Sequence, residues 1–592
     1  MKKWKLLYKN PKSKISHLRQ DFDGQANPKS IIRIILNNRG LKTKKEIDEF
    51  LKPDLKKITV ASVGIDKKHL KKTIKRIKRA IAKEEEVIVF GDYDVDGISG
   101  AAILWETLTE AGAKALPYIP HRLDEGYGLS KIGIDNLLLK NPKIKLIITV
   151  DNGIVASEAV EHANKKGIDI IITDHHVPSK NLPKAYAIFH TTKLCGAGVA
   201  YLLAQEISNF KFQISNKKIQ NTKYKILSTH LELVALATIA DLVPLTRANR
   251  TLVKFGIEEL RATKRPGLLA LIKEAEIDKS KIDVFEIGHV IDPRLNAMGR
   301  LEYAMDSLRL LCTKDLKRAE ALAKKLISTN KRRQELTISA FEHARLKIIN
   351  QSIRPLRIPQ DKQAQDKKSQ IPNLLFIAHE SYQQGVIGLV AGRLVEEFYR
   401  PTIVLSIGEK YSKASARSIS GFNIIEFIRT ASDLLVDAGG HPMAAGFTVE
   451  TAKLSLVQRK LEQLAEELLD EDKLIRSVRI DCELDLSFID KKLYDVLQKL
   501  APFGMGNPQP TFITKNITIK DMRLVGADGK HLKLRVSQSN SPEQLDAIGF
   551  SMGGFSEKIR IGNTVDLIYT IEQNEWNGNN RLQLKIKDLR KD

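Results

Sequence analysis

A chain of 592 residues is too long for one hydrophobic core, and a scale of about 150 residues per domain implies about four. Apolar residues make up 42% and charged residues 28%, which excludes a wholly disordered or collagenous chain. Lys plus Arg number 96 against 71 Asp plus Glu, a net +25 with a pI near 9.6. That excess favours a polyanionic partner, nucleic acid first and an anionic membrane surface second, although a lysine-rich surface without a partner has the same composition.

Residues 1–65 are basic and read as helical, with two short helices around Gly40. From residue 66 to 312 short β-branched runs alternate with helical stretches: VIVF at 87–90, ALPYI at 115–119, KLIITV at 145–150, IDIIIT at 168–173 and AYAIF at 185–189. Near-continuous apolar strands separated by helices predict a parallel sheet covered on both faces. Residues 313–352, free of Gly and Pro over 314–349, predict a long connecting helix. The Gln/Lys-rich stretch 353–372 reads as a linker or insertion. A second α/β domain is expected over 373–472, with strands at 373–378 and 402–406, a helix at 386–398 and helical segments at 451–470. Residues 473–592 carry five alternating runs, TFITKNITI, HLKLRV, LDAIGF, TVDLIYTI and RLQLKI, and predict a small barrel or sandwich with turns at ADGK and NGNN.

Three scattered cysteines, Cys195, Cys312 and Cys482, exclude a disulfide framework and a Cys-only zinc site and fit a reducing, cytoplasmic setting. The basic start leads into no apolar signal core. The most apolar stretch, 231–243, carries Glu232 and Asp241 and is too short to span a bilayer, so no membrane role is expected.

Chemistry concentrates at the strand ends. VIVF runs into GDYDVDG with Asp92, Asp94 and Asp96; KLIITV runs into Asp151; IDIIIT runs into Asp174, His175 and His176. In an open parallel sheet the crevice lies beyond the carboxyl ends of the strands, so three strands deliver carboxylates and imidazoles to one edge. A helical stretch ending in Asp241 adds a fourth contribution. One Asp after a strand is most often a turn former or helix cap, but three such ends together point to a cation. Carboxylate oxygens with imidazole suit Mn²⁺ or Mg²⁺, and a carboxylate shared by two ions is the usual core of a two-metal phosphoester hydrolase.

GDYDVDG, VDNG, TDHH and IADLVPL together resemble the four motifs of the DHH phosphoesterase superfamily. HRLDEGYGL, IDPRLNAMGR, SARS, GGHPMAAGF and APFGMGNPQP resemble its RecJ branch, from about residue 40 to the end. The resemblance implies a DHH catalytic domain and a DHHA1 domain joined by the long helix, with a C-terminal OB-fold barrel. It implies two ions, one on Asp94 and Asp151, the other on Asp96, Asp151, His175 and Asp241, with Asp151 bridging. His176 would face the scissile phosphate, and Asp92 would assist through a bound water. Where many members carry a His four residues before the first Asp of the D-x-D pair, this chain has Phe90, which removes one ligand. Arg122, Arg300, Ser415 and Arg417, with a turn at Gly439, Gly440 and His441, would surround the 5′ end of a strand; Arg122, Arg294, Arg300 and Arg417 all read as loop residues. Phe503, Phe512, Phe550 and Trp576 are candidate stacking platforms or core residues.

The implied activity is a Mn²⁺- or Mg²⁺-dependent 5′→3′ exonuclease of single-stranded DNA in repair and recombination, acting as a monomer beside a helicase and a single-strand-binding protein. A channel between the two α/β domains would explain strand specificity. An oligonucleotide hydrolase or pyrophosphatase of the same chemistry would lack the barrel and the charge, and a non-enzymatic scaffold would not need the acidic set intact.

Overall fold

The computed structural model describes residues 2–8, 28–122, 124–126, 128–214, 229–353, 371–538, 544–576 and 579–591. The expected 353–372 linker falls almost entirely outside them, as do Asn577 and Gly578 of the expected NGNN turn. The chain divides into two units: residues 64–241 with 259–476, and residues 1–63 with 242–258 and 477–592.

In chain order the strands are β1 (Lys3–Leu6), β2 (Glu86–Gly91), β3 (Lys114–Tyr118), β4 (Ile144–Val150), β5 (Asp169–Asp174), β6 (Ala187–His190), β7 (Leu375–His379), β8 (Thr402–Ser406), β9 (Tyr411–Arg417), β10 (Leu435–His441), β11 (Ala444–Glu450), β12 (Ser477–Ile480), β13 (Cys482–Glu483), β14 (Phe512–Val525), β15 (His531–Gln538), β16 (Gln544–Gly549), β17 (Thr564–Trp576) and β18 (Asn579–Lys591).

In the larger unit the apolar runs at 87–90, 145–150 and 168–173 sit inside a parallel sheet of order β3-β2-β4-β5-β6. One face of the sheet is covered by the helices Lys131–Lys140 and Ser157–Lys165, whose Ile134, Leu137 and Val160 share a core with Ile88, Phe90, Ile147 and Ile172. The helices Val95–Glu110, Gly196–Ile214 and Leu231–Ala240 pack on one another. Leu231–Ala240, nearly all apolar, is buried along most of its length, which accounts for the most apolar stretch of the chain. Among the described residues no helix is long and apolar enough to cross a membrane.

The helix Leu316–Ile353, about 57 Å at 1.5 Å per residue, packs against the helices Pro266–Glu274, Asp292–Leu301 and Ile387–Phe398. It leads to a second sheet, β10-β11-β9-β8-β7, in which only β7 and β8 are parallel.

The smaller unit holds a barrel. Pairings β14–β15, β15–β16, β16–β18, β18–β17 and β17–β14 close a ring of five strands, as the five alternating runs predict. Ile31, Ile35 and Leu36 of the helix Pro28–Asn38 are buried in the same core as Phe512, Leu534 and Tyr569. The helical reading of the N-terminal segment omits β1, which pairs in parallel with β12 more than 470 residues away. Arg250 is buried in this unit with its guanidinium 3.9 Å from the Phe50 ring centroid. The fold class expected from sequence, two α/β domains, a connecting helix and a C-terminal barrel, is the one observed.

Candidate metal centre and anion pocket

Register builds the acidic edge. Gly91, Val150 and Thr173 lie side by side across β2, β4 and β5, so Asp92 and Asp151, which follow their strands, and Asp174, which closes β5, fall along one line. The chain passes from β2 to β3 on one side and returns to β4 on the other, so Asp92 and Asp151 flank the topological switch point.

Close backbone approach tightens the edge. A Cβ at Gly97 would lie 2.5 Å from the Asp92 nitrogen, and one at Gly196 would lie 2.5 Å from the Asp151 Cβ. Asp151 itself adopts φ +63°, a left-handed turn that an Asp tolerates better than most side chains. Asp94 is a helix cap, its Oδ1 accepting from the Asp96 and Gly97 amides at 3.0 and 3.1 Å, and it belongs to the acidic set as well. The buried Asp96 accepts from the Gly196 and Ala197 amides, both at 2.6 Å, at the start of the helix Gly196–Ile214.

The donors converge in three overlapping groups: Asp92, Asp94 and Asp151; Asp96, His175 and Asp241; and Asp151, His175 and His176, each with ligand atoms within 4.8 Å of one another. His175 Nε2 lies 3.0 Å from Asp151 Oδ1, 3.6 Å from Asp96 Oδ2 and 3.7 Å from Asp241 Oδ2. Burial, with the neighbouring carboxylates, pushes the proton affinities of Asp92, Asp96 and Asp151 up, and that of Asp241 to about 8. Burial lowers that of His175, which favours a neutral imidazole with a free lone pair. Asp92 Oδ1 and Asp151 Oδ1 are buried without a hydrogen-bond partner. Crowded carboxylates with buried, unsatisfied oxygens fit divalent cations, and this oxygen-rich set with imidazole suits Mn²⁺ or Mg²⁺. Phe90 is a core residue, its ring 5.3 Å from Tyr118, so the position where a further His ligand would stand is occupied by packing.

Asp174 has no role in the sequence reading beyond its place in TDHH. Its buried carboxylate accepts from the Ile154, His175 and His176 amides at 2.9, 2.7 and 3.2 Å and lies 2.8 Å from His176 Nδ1. Burial disfavours charge on His176, but the Asp174 carboxylate outweighs it and carries the imidazole up to about 9. Asn296 also escapes sequence reasoning: its Oδ1 accepts from the Val95 amide at 3.1 Å, tying the helix Asp292–Leu301 to the start of Val95–Glu110.

The residues that the resemblance assigns to a strand's 5′ end have a different local structure from the one expected. Arg294 and Arg300 are helical, not in a loop, because Pro293 occupies the first turn, where its missing N–H is harmless. Gly299 stands within that helix, and the position requires glycine because a Cβ there would lie 2.5 Å from the Tyr93 carbonyl. Gly439, Gly440 and His441 close strand β10 instead of forming a turn, and Arg417 closes β9. Gly440 has φ +142°, and a Cβ there would lie 2.4 Å from the Ala444 carbonyl.

Arg122 lies 5.0 Å over the Tyr93 ring. Arg300 donates to the Gly385 carbonyl at 3.3 Å; burial and the charges of Arg122, Arg333 and Arg417 lower its proton affinity to about 10. Arg417 donates to Ser415 Oγ at 3.2 Å and to the Ala416 carbonyl at 2.8 Å. Gly388 keeps this corner open, since a Cβ there would stand 2.8 Å from Ser415 Oγ and 3.0 Å from Arg417 Nη2. The His441 ring stacks 6.2 Å from that of His176, so the pocket and the acidic set adjoin.

Among the barrel aromatics, Phe512 is fully buried beside Tyr569 and Phe503 packs on the core. Phe550 is 53% exposed, flanked by the His531 ring and by Lys585 Nζ at 5.4 Å. The side chain of Trp576 lies outside the described residues.

This arrangement, a parallel-sheet edge of crowded carboxylates beside a group of arginines drawn from the first domain, the helix Asp292–Leu301 and strand β9 of the second sheet, is that of a two-domain metal-site protein. The DHH family N-terminal domain matches residues 86–238, the DHHA1 domain 372–469 and the RecJ OB domain 480–588. The single-stranded-DNA-specific exonuclease RecJ of Escherichia coli (strain K12) is 31% identical over 575 residues, covering 94% of this chain and 95% of that protein. RecJ of Bacillus subtilis (strain 168) is 35% identical over 532 residues, 88% of this chain, which spans 63% of that protein's length. RecJ of Thermus thermophilus, crystallised with Mn²⁺, superposes with a TM-score of 0.78 at 26% identity, covering all of this chain and 80% of that one. The same protein crystallised with Mg²⁺ gives 0.71 at 25%, covering all of this chain and 78% of that one. The chain belongs to the RecJ family of DHH proteins.

Proposed function

We propose that the chain is a single-strand-specific DNA exonuclease that uses Mn²⁺ or Mg²⁺ and removes nucleotides from the 5′ end. The observation that carries this reading is the adjacency of the acidic edge of the first sheet and the arginine group to which β9 of the second sheet contributes Arg417, joined at His176 and His441. Kinship with the RecJ exonucleases supports the substrate, and a pocket of guanidiniums beside the acidic edge supports the polarity.

Asp94 and Asp151 would hold one ion, with Asp92, whose oxygen lies within ligand reach of theirs, as a direct third donor in place of the water-mediated role the resemblance implies; Asp96, His175 and Asp241, with Asp151 shared, would hold the other. Bound there, two ions would supply Lewis acidity toward the phosphoryl oxygens and lower the pKa of the attacking water. Asp94 keeps its loop in place by capping the following helix, and the two amides on Asp96 fix that carboxylate before any ion arrives. His176, held cationic and oriented by Asp174, faces the negative charge that develops on the scissile phosphate. Arg122, Arg300, Ser415 and Arg417 receive the 5′-terminal phosphate, and Gly440 with His441 lines the passage between the pocket and the acidic edge. Planar guanidinium forks suit a terminal phosphate, which carries more charge than an internal phosphodiester.

The barrel adds single-strand affinity through Phe550 and surface cations. A duplex about 20 Å wide would not thread the passage between the two α/β domains. The enzyme would act as a cytoplasmic monomer in repair and recombination, fed single strands by a helicase and sharing them with a single-strand-binding protein.

Asp151→Ala tests the reading. Hydrolysis should be abolished while strand binding stays close to normal; near-normal turnover in the folded variant would overturn the two-ion assignment.

A further inference from the structure

Glu232 is a charge inside the most apolar stretch of the chain, buried, and the metal chemistry leaves it without a task. Its Oε1 accepts from Arg265 Nε at 2.5 Å. The same guanidinium forks onto Glu106, Nη1 to Oε1 at 2.7 Å and Nη2 to Oε2 at 2.8 Å. Nη2 also donates to His230 Nδ1 at 2.7 Å, and Nη1 to the Leu311 carbonyl at 3.1 Å. All five donors of the side chain are thereby used. Arg265 is also held from behind. It caps the helix Pro266–Glu274, where a Cβ at Gly267 would lie 1.7 Å from the Leu310 carbonyl oxygen, so that helix is seated hard against Met305–Cys312.

The residues joined here sit at the far ends of the two helices that carry ligands of the second ion. On Val95–Glu110, Glu106 lies about 15 Å of helical rise beyond Asp96. On Leu231–Ala240, Glu232 lies about 14 Å before Asp241, the C-terminal cap. The two helices pack on each other and are joined at both ends: Asp96 and Asp241 converge with His175 at one, Glu106 and Glu232 share Arg265 at the other. Between these ends the sequences are GISGAAILW and LVALATIA, almost wholly apolar and rich in small side chains. Apolar packing is non-directional and fixes axial register less sharply than hydrogen-bonded ends do. A cavity of about 720 Å³ opens beside the clamp, lined in part by Trp105, Glu106, His230, Glu232, Arg265 and Cys312, so close packing does not lock that end.

The two helices are not equally tethered at the acidic edge. Val95–Glu110 is fastened there by Asn296 on the Val95 amide and by the Gly196 and Ala197 amides on Asp96. Asp241 has no such anchor among its described hydrogen bonds beyond its own helix turn, its amide donating to the Ala237 carbonyl at 3.0 Å. A slip between the helices therefore falls on Asp241. We propose that Arg265 is a positioning residue for the second metal ion: by fixing the axial offset of the two helices, it holds the Asp241 carboxylate in reach of Asp96 and His175. This rests on the two-ion reading above. Asp94 and Asp151 lie outside the helix that would slip, so the first ion is spared.

The test measures Mn²⁺ binding by calorimetry on the full chain without DNA, beside melting in chelator. The wild type should bind two Mn²⁺, and Asp241→Asn marks which constant belongs to the second ion. Arg265→Lys keeps the charge and loses the fork; it should weaken the second ion about tenfold and leave the first unchanged. Added to Asp241→Asn, it should change nothing further. Arg265→Met combined with Glu106→Met and Glu232→Met removes the clamp without stranding a buried charge. That variant should melt near the wild type and still show the loss. Excess Mn²⁺ should restore kcat in both, with KM for the strand unchanged.

Wild-type Mn²⁺ constants in either folded variant, or an equal weakening of both ions, would overturn the positioning role and leave the exonuclease reading intact. So would a further fall in Mn²⁺ affinity when Arg265→Lys is added to Asp241→Asn. Fewer than two Mn²⁺ on the wild type would overturn the two-ion reading, and the role of Arg265 with it.

Discussion

Replacing Arg417 by Ala separates end recognition from metal chemistry. The guanidinium spends one nitrogen on Ser415 Oγ and the Ala416 carbonyl, and no described carboxylate pairs with it. Truncation therefore breaks no ion pair and leaves no carboxylate stranded, so the loss of fold stability should be small. What would be lost, on the proposed function, is a charge-assisted contact to the terminal phosphate, worth about 1.5–3 kcal/mol. At about 1.4 kcal/mol per decade that is roughly a ten- to 150-fold fall in kcat/KM. Arg122 and Arg300 remain, so the loss stays below abolition. Initial rates on 5′-phosphorylated and 5′-hydroxyl strands, with Mn²⁺ affinity measured by calorimetry on the same preparation, read the effect directly. The phosphorylated strand should lose most, the two strands should converge, and Mn²⁺ affinity should hold. Arg417→Lys should recover part of the loss, since a lysine restores the charge without the fork. An unchanged rate, or an equal fall on both strands, would refute the pocket.

The acidic edge predicts a pH dependence in the metal-free protein. The folded-state proton affinity of Asp241, at about 8, lies above its unfolded value, so its contribution to stability is full below the unfolded value and is lost as pH rises through about 8. The melting temperature of chelator-treated protein should fall between about pH 4 and pH 8 and level off above that, and Mn²⁺ should raise it more at the alkaline end, with protons released on binding at lower pH; a pH-independent Mn²⁺ effect would contradict this. In the barrel, Phe550→Ala should weaken single-strand binding by about 1–3 kcal/mol with little effect on melting, whereas Phe512→Ala should cost about 3–5 kcal/mol of stability. The reverse pattern in binding and melting assays would exchange the roles of the two rings.

Much of the site was legible in the sequence because its logic is local. A β-branched run followed by Asp carries strand direction, and three such runs place Asp92, Asp151 and the Asp174-His175-His176 segment on one edge before any contact is known. What failed was information that is not local. IDPRLNAMGR reads as a loop because Pro and Gly punctuate it, yet Pro293 sits where a helix tolerates it and Gly299 is demanded by the Tyr93 carbonyl of another element. GGH reads as a turn, yet β11 supplies the partner that makes it a strand. The role of Asp174 required the position of the His176 ring, and β1 required a partner more than 470 residues distant. Residues that act through neighbours in space leave the weakest trace in one sequence.

The most direct test of the central claim follows a label at the 5′ terminus of a long single strand incubated with the protein and Mn²⁺. The account predicts that the label leaves in the earliest product, a mononucleotide, and that chelator stops the reaction. It also predicts that a bulky 5′ block prevents digestion while a 3′ block does not, and that the fully paired duplex is spared. Release of the label last, resistance conferred by the 3′ block, or digestion that persists in chelator would contradict it.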